Sequence, residues 1–218
     1  MKQAPLPTRD KPKSYRGKRA FDLAIAIPAL LVSSPVMLVV ALLVRWRLGR
    51  PVLFRQVRPG LQGQAFTMYK FRTMRETRDE SGALLPDRLR LTSLGKTLRA
   101  TSLDELPELV NVIRGDMSLV GPRPLLDRYM QFYTSIERER FKVRPGITGL
   151  SQVTGRNALA WDDRLATDVW YVHNISWWLD LKILTLTIVR VVRRSDVHTV
   201  TDLTLQDLDE ERRHCGIP

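Results

Sequence analysis

Two adjacent carboxylates, Asp104 and Glu105, lie in the segment Thr101-Ser102-Leu103-Asp104-Glu105-Leu106-Pro107. The surrounding chain is dense in cations: Arg88, Arg90, Lys96, Arg99, Arg114 and Arg123. A carboxylate can serve phosphoryl chemistry as a nucleophile, forming an acyl phosphate. Mg²⁺ is the usual companion, held by one carboxylate and the substrate's phosphates. Neighbouring helical residues point about 100° apart, so the two acids need not share one task. One can attack while the other holds a metal. Arginines near them would neutralise phosphate with a bidentate fork that lysine lacks. A plainer reading makes Ser102 a helix N-cap and Glu105 the distal half of a capping box. Nothing matches G-x-x-x-x-G-K-[ST], which argues against a kinase or P-loop ATPase.

Composition narrows the chemistry. The chain has 218 residues, about one domain, and is long enough to bury a core without disulfide or metal staples. An apolar content of 44% excludes wholesale disorder and a polytopic membrane protein. Lys and Arg number 35 against 23 Asp and Glu, a formal charge of +12. That surface expects a polyanion: nucleic acid, anionic headgroups or a phosphorylated substrate. The single cysteine, Cys215, forbids an internal disulfide and fits a reducing compartment. No zinc-ligand spacing is present.

The elements that must position the acids begin with a basic tail, residues 1–19, read as retained and suited to an anionic leaflet. Leu23 to Val44 is an uncharged, almost wholly apolar run. As a straight helix it would be about 33 Å long, enough to span a bilayer. Pro28 and Ser33-Ser34-Pro35 interrupt it, and cations flank both ends (Lys18 and Arg19; Arg45, Arg47 and Arg50). Proline predicts a kink, serine hydroxyls can satisfy the freed backbone, and the positive-inside rule favours both ends on one face. A re-entrant, broken helix is therefore expected over residues 20–47, with a single span and a buried core helix as alternatives. Trp46 suits an interfacial anchor.

Val52-Leu53-Phe54 and Ala65 to Phe71 read as a β-hairpin near residues 52–70, with Gly60 of Pro59-Gly60 supplying a positive φ. Thr77 to Pro86 reads as loop, and Leu89 to Val112 as mostly helical, limited by Pro107. Gly115 to Pro124 is loop, and Leu125 to Phe141 has helical spacing. Pro145 to Asn157 is a glycine-rich loop, and helices follow over Trp161 to Tyr171 and Ser176 to Arg194. The last, opening on Trp177-Trp178, fits an interfacial membrane helix or a core helix equally. Residues 195–218 read as a polar surface tail. The expected fold class is α+β: a mostly helical domain over 48–194 with a small hairpin and a re-entrant N-terminal helix. Arg58-Pro59-Gly60-Leu61-Gln62-Gly63 and Arg144-Pro145-Gly146-Ile147-Thr148-Gly149 share the form R-P-G-x-x-G. They are two Pro-Gly turns, or two loops offering backbone N–H groups to phosphate.

The ordered motifs resemble the monotopic bacterial sugar transferases, phosphoglycosyl transferases that act on polyprenol phosphate. The resemblance runs over residues 18–194. It begins with Lys18-Arg19-Ala20-Phe21-Asp22-Leu23, Ser34-Pro35, Phe54-Arg55-Gln56, Arg58-Pro59-Gly60 and Lys70-Phe71-Arg72-Thr73-Met74. It continues through Ser102 to Pro107, Asn111-Val112, Gly115-Asp116-Met117-Ser118, Gly121-Pro122-Arg123-Pro124, Arg144 to Gly149 and Gly155-Arg156-Asn157.

The resemblance implies transfer of a phosphosugar from a UDP-sugar to undecaprenyl phosphate, by a two-step ping-pong route that releases UMP and initiates glycan assembly such as exopolysaccharide. It makes Asp104 the nucleophile and Glu105 the Mg²⁺ ligand, with Asp168 supporting the metal. Ser34 and Pro35 become the break of the re-entrant helix. Arg123 becomes a phosphate ligand, and Lys70, Arg72, Arg99, Arg144 and Arg156 lie near phosphates or headgroups. Anionic membrane lipid is an implied partner and nucleic acid is not; a homo-oligomer is left open. The implied location is the cytoplasmic face of the bacterial inner membrane. Larger relatives carry extra N-terminal membrane helices, so the chain looks like a minimal catalytic unit. Leu150-Ser151 and Thr154 depart from a frequent Trp-Ala and Asn, in a loop that could contact the nucleotide sugar. Two other classes remain: a membrane-tethered nucleic-acid-binding module, motivated by the charge, and a non-catalytic membrane scaffold. Acids embedded in a basic cluster argue against the scaffold, and cations grouped around Gly/Pro loops argue against the nucleic-acid module.

Overall fold

The computed structural model describes residues 13–155, 160–193 and 207–214. It begins with one long helix, α1 (Lys18–Leu48), long and apolar enough to cross a membrane. Pro28 and Pro35 lie inside it, and it stays helical through both. The expected mending of the backbone is present: Ser34 Oγ donates to the Leu31 carbonyl at 2.7 Å, the acceptor that Pro35 cannot serve, and Ser33 Oγ donates to Leu30 at 3.3 Å.

Two stretches of α1 meet the rest of the chain. Ala26, with Ala29 and Leu30, joins a core that includes Leu109, Val112, Met117 and Ile183. Val40 and Val44, with Met37, Ala41 and Leu48, pack on Phe71 and Leu98. Between these stretches Leu31 and Val32 are 68% and 80% exposed. The helix start is tied down by charge. Lys18 pairs with Asp180 at 2.7 Å and Asp22 at 3.4 Å, while Asp22 accepts from Ser118 Oγ at 2.8 Å. Tyr15 and Tyr171 hydroxyls complete the Asp180 shell, so this buried polar group is satisfied.

The hairpin forms as expected: β1 (Leu53–Pro59) pairs antiparallel with β2 (Ala65–Phe71), from Leu53↔Phe71 to Pro59↔Ala65. Its turn differs in one respect. The positive φ values fall on Gln62 (55°) and Gly63 (73°), whereas Gly60 has φ −109°. Three short helices follow: α2 (Asp87–Arg90), α3 (Ser93–Ala100) and α4 (Glu108–Arg114).

The two segments read as loops each contribute a strand. β3 (Ser118–Val120) and β4 (Gly146–Thr148) pair in parallel, Ser118↔Gly146 and Val120↔Thr148. The glycines of the second R-P-G-x-x-G segment serve this contact. A Cβ on Gly146 would lie 2.1 Å from Gly121 N, and one on Gly149 would lie 2.3 Å from the Gly121 carbonyl oxygen. The segment expected to be helical between them forms two 3₁₀ stretches, Asp127–Phe132 and Glu137–Lys142. Next come α5 (Leu150–Thr154), α6 (Trp161–Asn174) and α7 (Trp177–Arg193). α7 is buried on one side and exposed on the other: Ile183 lies in the core, while Trp178 and Ile188 are exposed.

The described part of the C-terminal segment forms α8 (Leu208–His214). Leu208 packs with Leu125, Tyr129, Trp161 and Leu165, and Arg212 pairs with Glu137 at 2.7 Å. This portion is docked rather than a free surface tail, because one apolar side chain and one paired arginine give it a face to bury.

Candidate active site

α3 ends at Ala100, and Ser102 then turns the chain in the left-handed region (φ 56°). A 3₁₀ turn, Leu103–Glu105, presents the two acids before Pro107 leads into α4. The expected capping box does not form. Ser102 makes no side-chain cap, and the Glu105 carboxylate turns to stronger, charged donors.

The acids differ in their surroundings. Glu105 Oε1 accepts from Lys70 Nζ and from Arg123 Nη2, both at 2.6 Å. Burial alone would raise its pKa, but Arg123 and Lys70 outweigh burial and hold it at about 2. Glu105 in turn keeps Arg123 firmly protonated. Asp104 is buried, and among the described residues no hydrogen bond or ion pair occupies its carboxylate. Burial and the Glu105 charge raise its pKa; Lys70, Arg99 and Arg123 oppose the rise. One acid is clamped by cations and the other is open, partly desolvated and close to the same cations. That division suits a carboxylate nucleophile beside a charge-organising carboxylate.

Glu108 joins the cluster, a residue that sequence reasoning passed over. It lies 3.1 Å from Lys70 and is fully buried, and burial together with Glu105 pushes its pKa up to about 7. Its place on the first turn of α4, three residues after Glu105, was the available signal. Asn111 holds α4 against the hairpin: its Nδ2 donates to the Thr67 carbonyl at 2.7 Å and its Oδ1 accepts from Tyr69 N–H at 3.2 Å. This side chain continues the β2 ladder and sets Lys70 over the acids.

Asp104, Glu105, Lys70, Arg99 and Arg123 thus come together; Arg99 is steadied by a 3.1 Å bond to Thr73 Oγ1. Arg72 and Arg144 do something else. Arg72 donates to the carbonyls of Leu48 and Arg50 at the end of α1. Arg144 donates to the Gly115 carbonyl at 2.8 Å, at the end of α4, where Arg19 also donates to the Val112 and Ile113 carbonyls. Both positions complement the negative end of a helix dipole. Asp168 is bonded to Arg140 and Ser151. Arg156 lies outside the described residues.

A family model for bacterial sugar transferases matches residues 13–194. The chain belongs to the bacterial sugar transferase family. It is 50% identical over 189 residues to the uncharacterized sugar transferase EpsL of Bacillus subtilis (strain 168), covering 87% of this chain and 94% of that one. The exopolysaccharide production protein ExoY of Sinorhizobium fredii is 41% identical over 191 residues, 80% of this chain and 84% of its own. A UDP-glucose:undecaprenyl-phosphate glucose-1-phosphate transferase of Caulobacter vibrioides is 40% identical over 181 residues, 78% of this sugar transferase and 68% of the relative.

Proposed function

We propose that this sugar transferase moves a phosphosugar from a UDP-sugar to undecaprenyl phosphate, through a covalent adduct on Asp104, in the assembly of an exopolysaccharide. The observation that carries the reading is the unlike pair of adjacent acids, Glu105 clamped by Lys70 and Arg123 and Asp104 left open. The UDP-glucose:undecaprenyl-phosphate transferase of Caulobacter, 40% identical, supports the choice of substrates.

In the first step an Asp104 oxygen bonds to the sugar-linked phosphorus, the bridging P–O bond breaks, and UMP leaves. In the second step an oxygen of undecaprenyl phosphate attacks the same phosphorus. The aspartyl–phosphorus bond breaks and the carboxylate returns. Lys70, Arg99 and Arg123 offset phosphate charge in both steps. No general base is required, because the attacking groups are already ionised. Mg²⁺ fits the donor set: both cations bond Glu105 Oε1, and a hard ion that takes one carboxylate oxygen, substrate phosphates and water can use Oε2. It would supply Lewis-acid stabilisation of phosphate charge.

α1 is read as re-entrant, bending at Ser34 and Pro35 so that both ends lie on the cytoplasmic face of the inner membrane. The support is the contact of both stretches of α1 with one domain, with the exposed Leu31 and Val32 between them. Such a helix holds the acids at the interface where a lipid phosphate meets a soluble nucleotide sugar.

The test is intact mass spectrometry after Mg²⁺ and a panel of UDP-sugars, without lipid acceptor. The expected result is a gain of one phosphosugar, absent in Asp104→Asn and discharged by undecaprenyl phosphate. Transfer that survives in Asp104→Asn removes the adduct from the mechanism.

A further inference from the structure

Arg123 lies between two prolines, and that fixes how its backbone can be held. Pro122 and Pro124 have no N–H, so hydrogen bonds can anchor this tripeptide chiefly through its carbonyls. The Pro122 carbonyl accepts from Gly146 N–H at 3.0 Å. The Arg123 carbonyl accepts from Arg140 Nη2 at 2.7 Å. The same nitrogen donates to Asp168 Oδ2 at 2.8 Å, and Asp168 Oδ1 accepts from Ser151 Oγ at 2.8 Å. Arg140 and Asp168 are 3% and 2% exposed. A planar guanidinium thus spends both hydrogens of one nitrogen on a carbonyl and a carboxylate, and its plane is fixed by the acid behind it. At the other end of Arg123, its side chain reaches Glu105 at 2.6 Å. Arg123 and Arg140 also line one small cavity, beside Pro59, Gly60 and Pro145 at the hairpin tip.

We propose that Asp168 and Arg140 are positioning residues of the transfer site: Asp168 orients Arg140, Arg140 pins the Arg123 backbone, and Arg123 is thereby aimed at Glu105 and the substrate phosphate. The proposal rests on the reading of Arg123 as a phosphate ligand. It replaces the metal-supporting role that the family resemblance implied for Asp168. Both Asp168 oxygens are already engaged by Arg140 and Ser151, which leaves a poor ligand for a cation. Ser151 gives Asp168 its second donor.

The test uses the full chain in lipid nanodiscs and two readouts. The first is UDP affinity in EDTA. Asp168→Asn and Arg140→Lys are each expected to weaken it about tenfold, and Asp168→Asn added to Arg123→Ala by less than about threefold more, because coupled residues are not additive. The second is hydrogen exchange of the Gly121 and Gly146 amides, which bond the Thr148 and Pro122 carbonyls, expected to be about tenfold faster in Asp168→Asn while amides of α1 keep their protection. Unchanged exchange overturns the proposal whatever the nucleotide does. An affinity loss seen with Mg²⁺ but absent in EDTA overturns it in favour of a metal ligand. Failure of the wild-type chain to bind UDP would count against the donor assignment, and exchange would still decide the positioning role. Should Asp168→Asn not fold, Ser151→Ala leaves no charge unpaired and is expected to speed exchange by roughly twofold to threefold; no change there overturns the proposal.

Discussion

Asp104, Glu105 and Glu108 are three carboxylates under one lysine, and their surroundings separate them. Glu105 stays ionised throughout the working range because Arg123 and Lys70 hold its pKa at about 2. Asp104 titrates above an ordinary aspartate, since burial and Glu105 disfavour its charge. Adduct formation should therefore fall as pH drops, with a midpoint above the usual value of about 3.9 for aspartate. A mass-spectrometric pH series on the first half-reaction checks this, and a midpoint at or below that value overturns it. Glu108 is the residue most exposed to linkage. Burial and the Glu105 charge push its carboxyl up to about 7 in the fold, above the usual value of about 4.3 for glutamate, so the folded state holds the extra proton between those values. Stability falls as pH rises through that window and levels off above it. Glu108→Gln, neutral at every pH, should gain stability relative to wild type as pH rises from 5 to 8, by roughly 2 kcal/mol. Denaturant unfolding at both ends of the range measures it. A gain that is the same at both pH values means Glu108 is already ionised below the window.

Among the elements, the contact of α4 with β2 matters most for the site. Asn111 is fully buried and supplies both a donor and an acceptor to the β2 backbone. Asn111→Ala would leave the Thr67 carbonyl and the Tyr69 N–H without these partners and should cost about 2 kcal/mol of stability. It should also lower transfer, because Lys70 directly follows Tyr69 on the strand. Thermal unfolding alongside turnover tests both, and unaltered turnover would detach this helix from the site. The hairpin was legible from two β-rich runs around Pro59-Gly60, and the acids from their setting among arginines. The parallel pairing of β3 with β4 was not: three-residue strands joined across 25 intervening residues leave no periodicity to read. Their determinant is close backbone approach at Gly121 and Gly146, whereas the sequence reading left Gly146 open between a Pro-Gly turn and a phosphate loop. Arg72 and Arg144 were legible as motif positions, but a motif does not say whether an arginine faces a ligand or a helix end. Arg140 gave no signal at all, since its partners lie 17 and 28 residues away.

On the proposed function, the whole molecule must set a cluster of cations and acids at the height where a lipid phosphate lies. α1 exposes Leu31, Val32, Leu38, Val39 and Leu42 along its middle, while its first turn is fastened to Asp180 and its last turns pack on Phe71 and Leu98. Exposing that much apolar surface to water is costly, at about 25 cal/mol per Å². Lipid removes the cost, and the Ser34 hydroxyl keeps the proline-freed Leu31 carbonyl satisfied where water is absent. A straight span would put the tail before Lys18 and the arginines after Trp46 on opposite faces. It would also pull one of the two packed stretches away from the domain. Single cysteines placed at Arg16 and at Arg50, with Cys215 changed to serine, distinguish the two arrangements. Both should resist a membrane-impermeant thiol reagent in intact cells and react in inside-out vesicles. Labelling of the Arg16→Cys variant in intact cells would show a spanning helix, and would leave the contact between Ala26 and Val112 without an explanation.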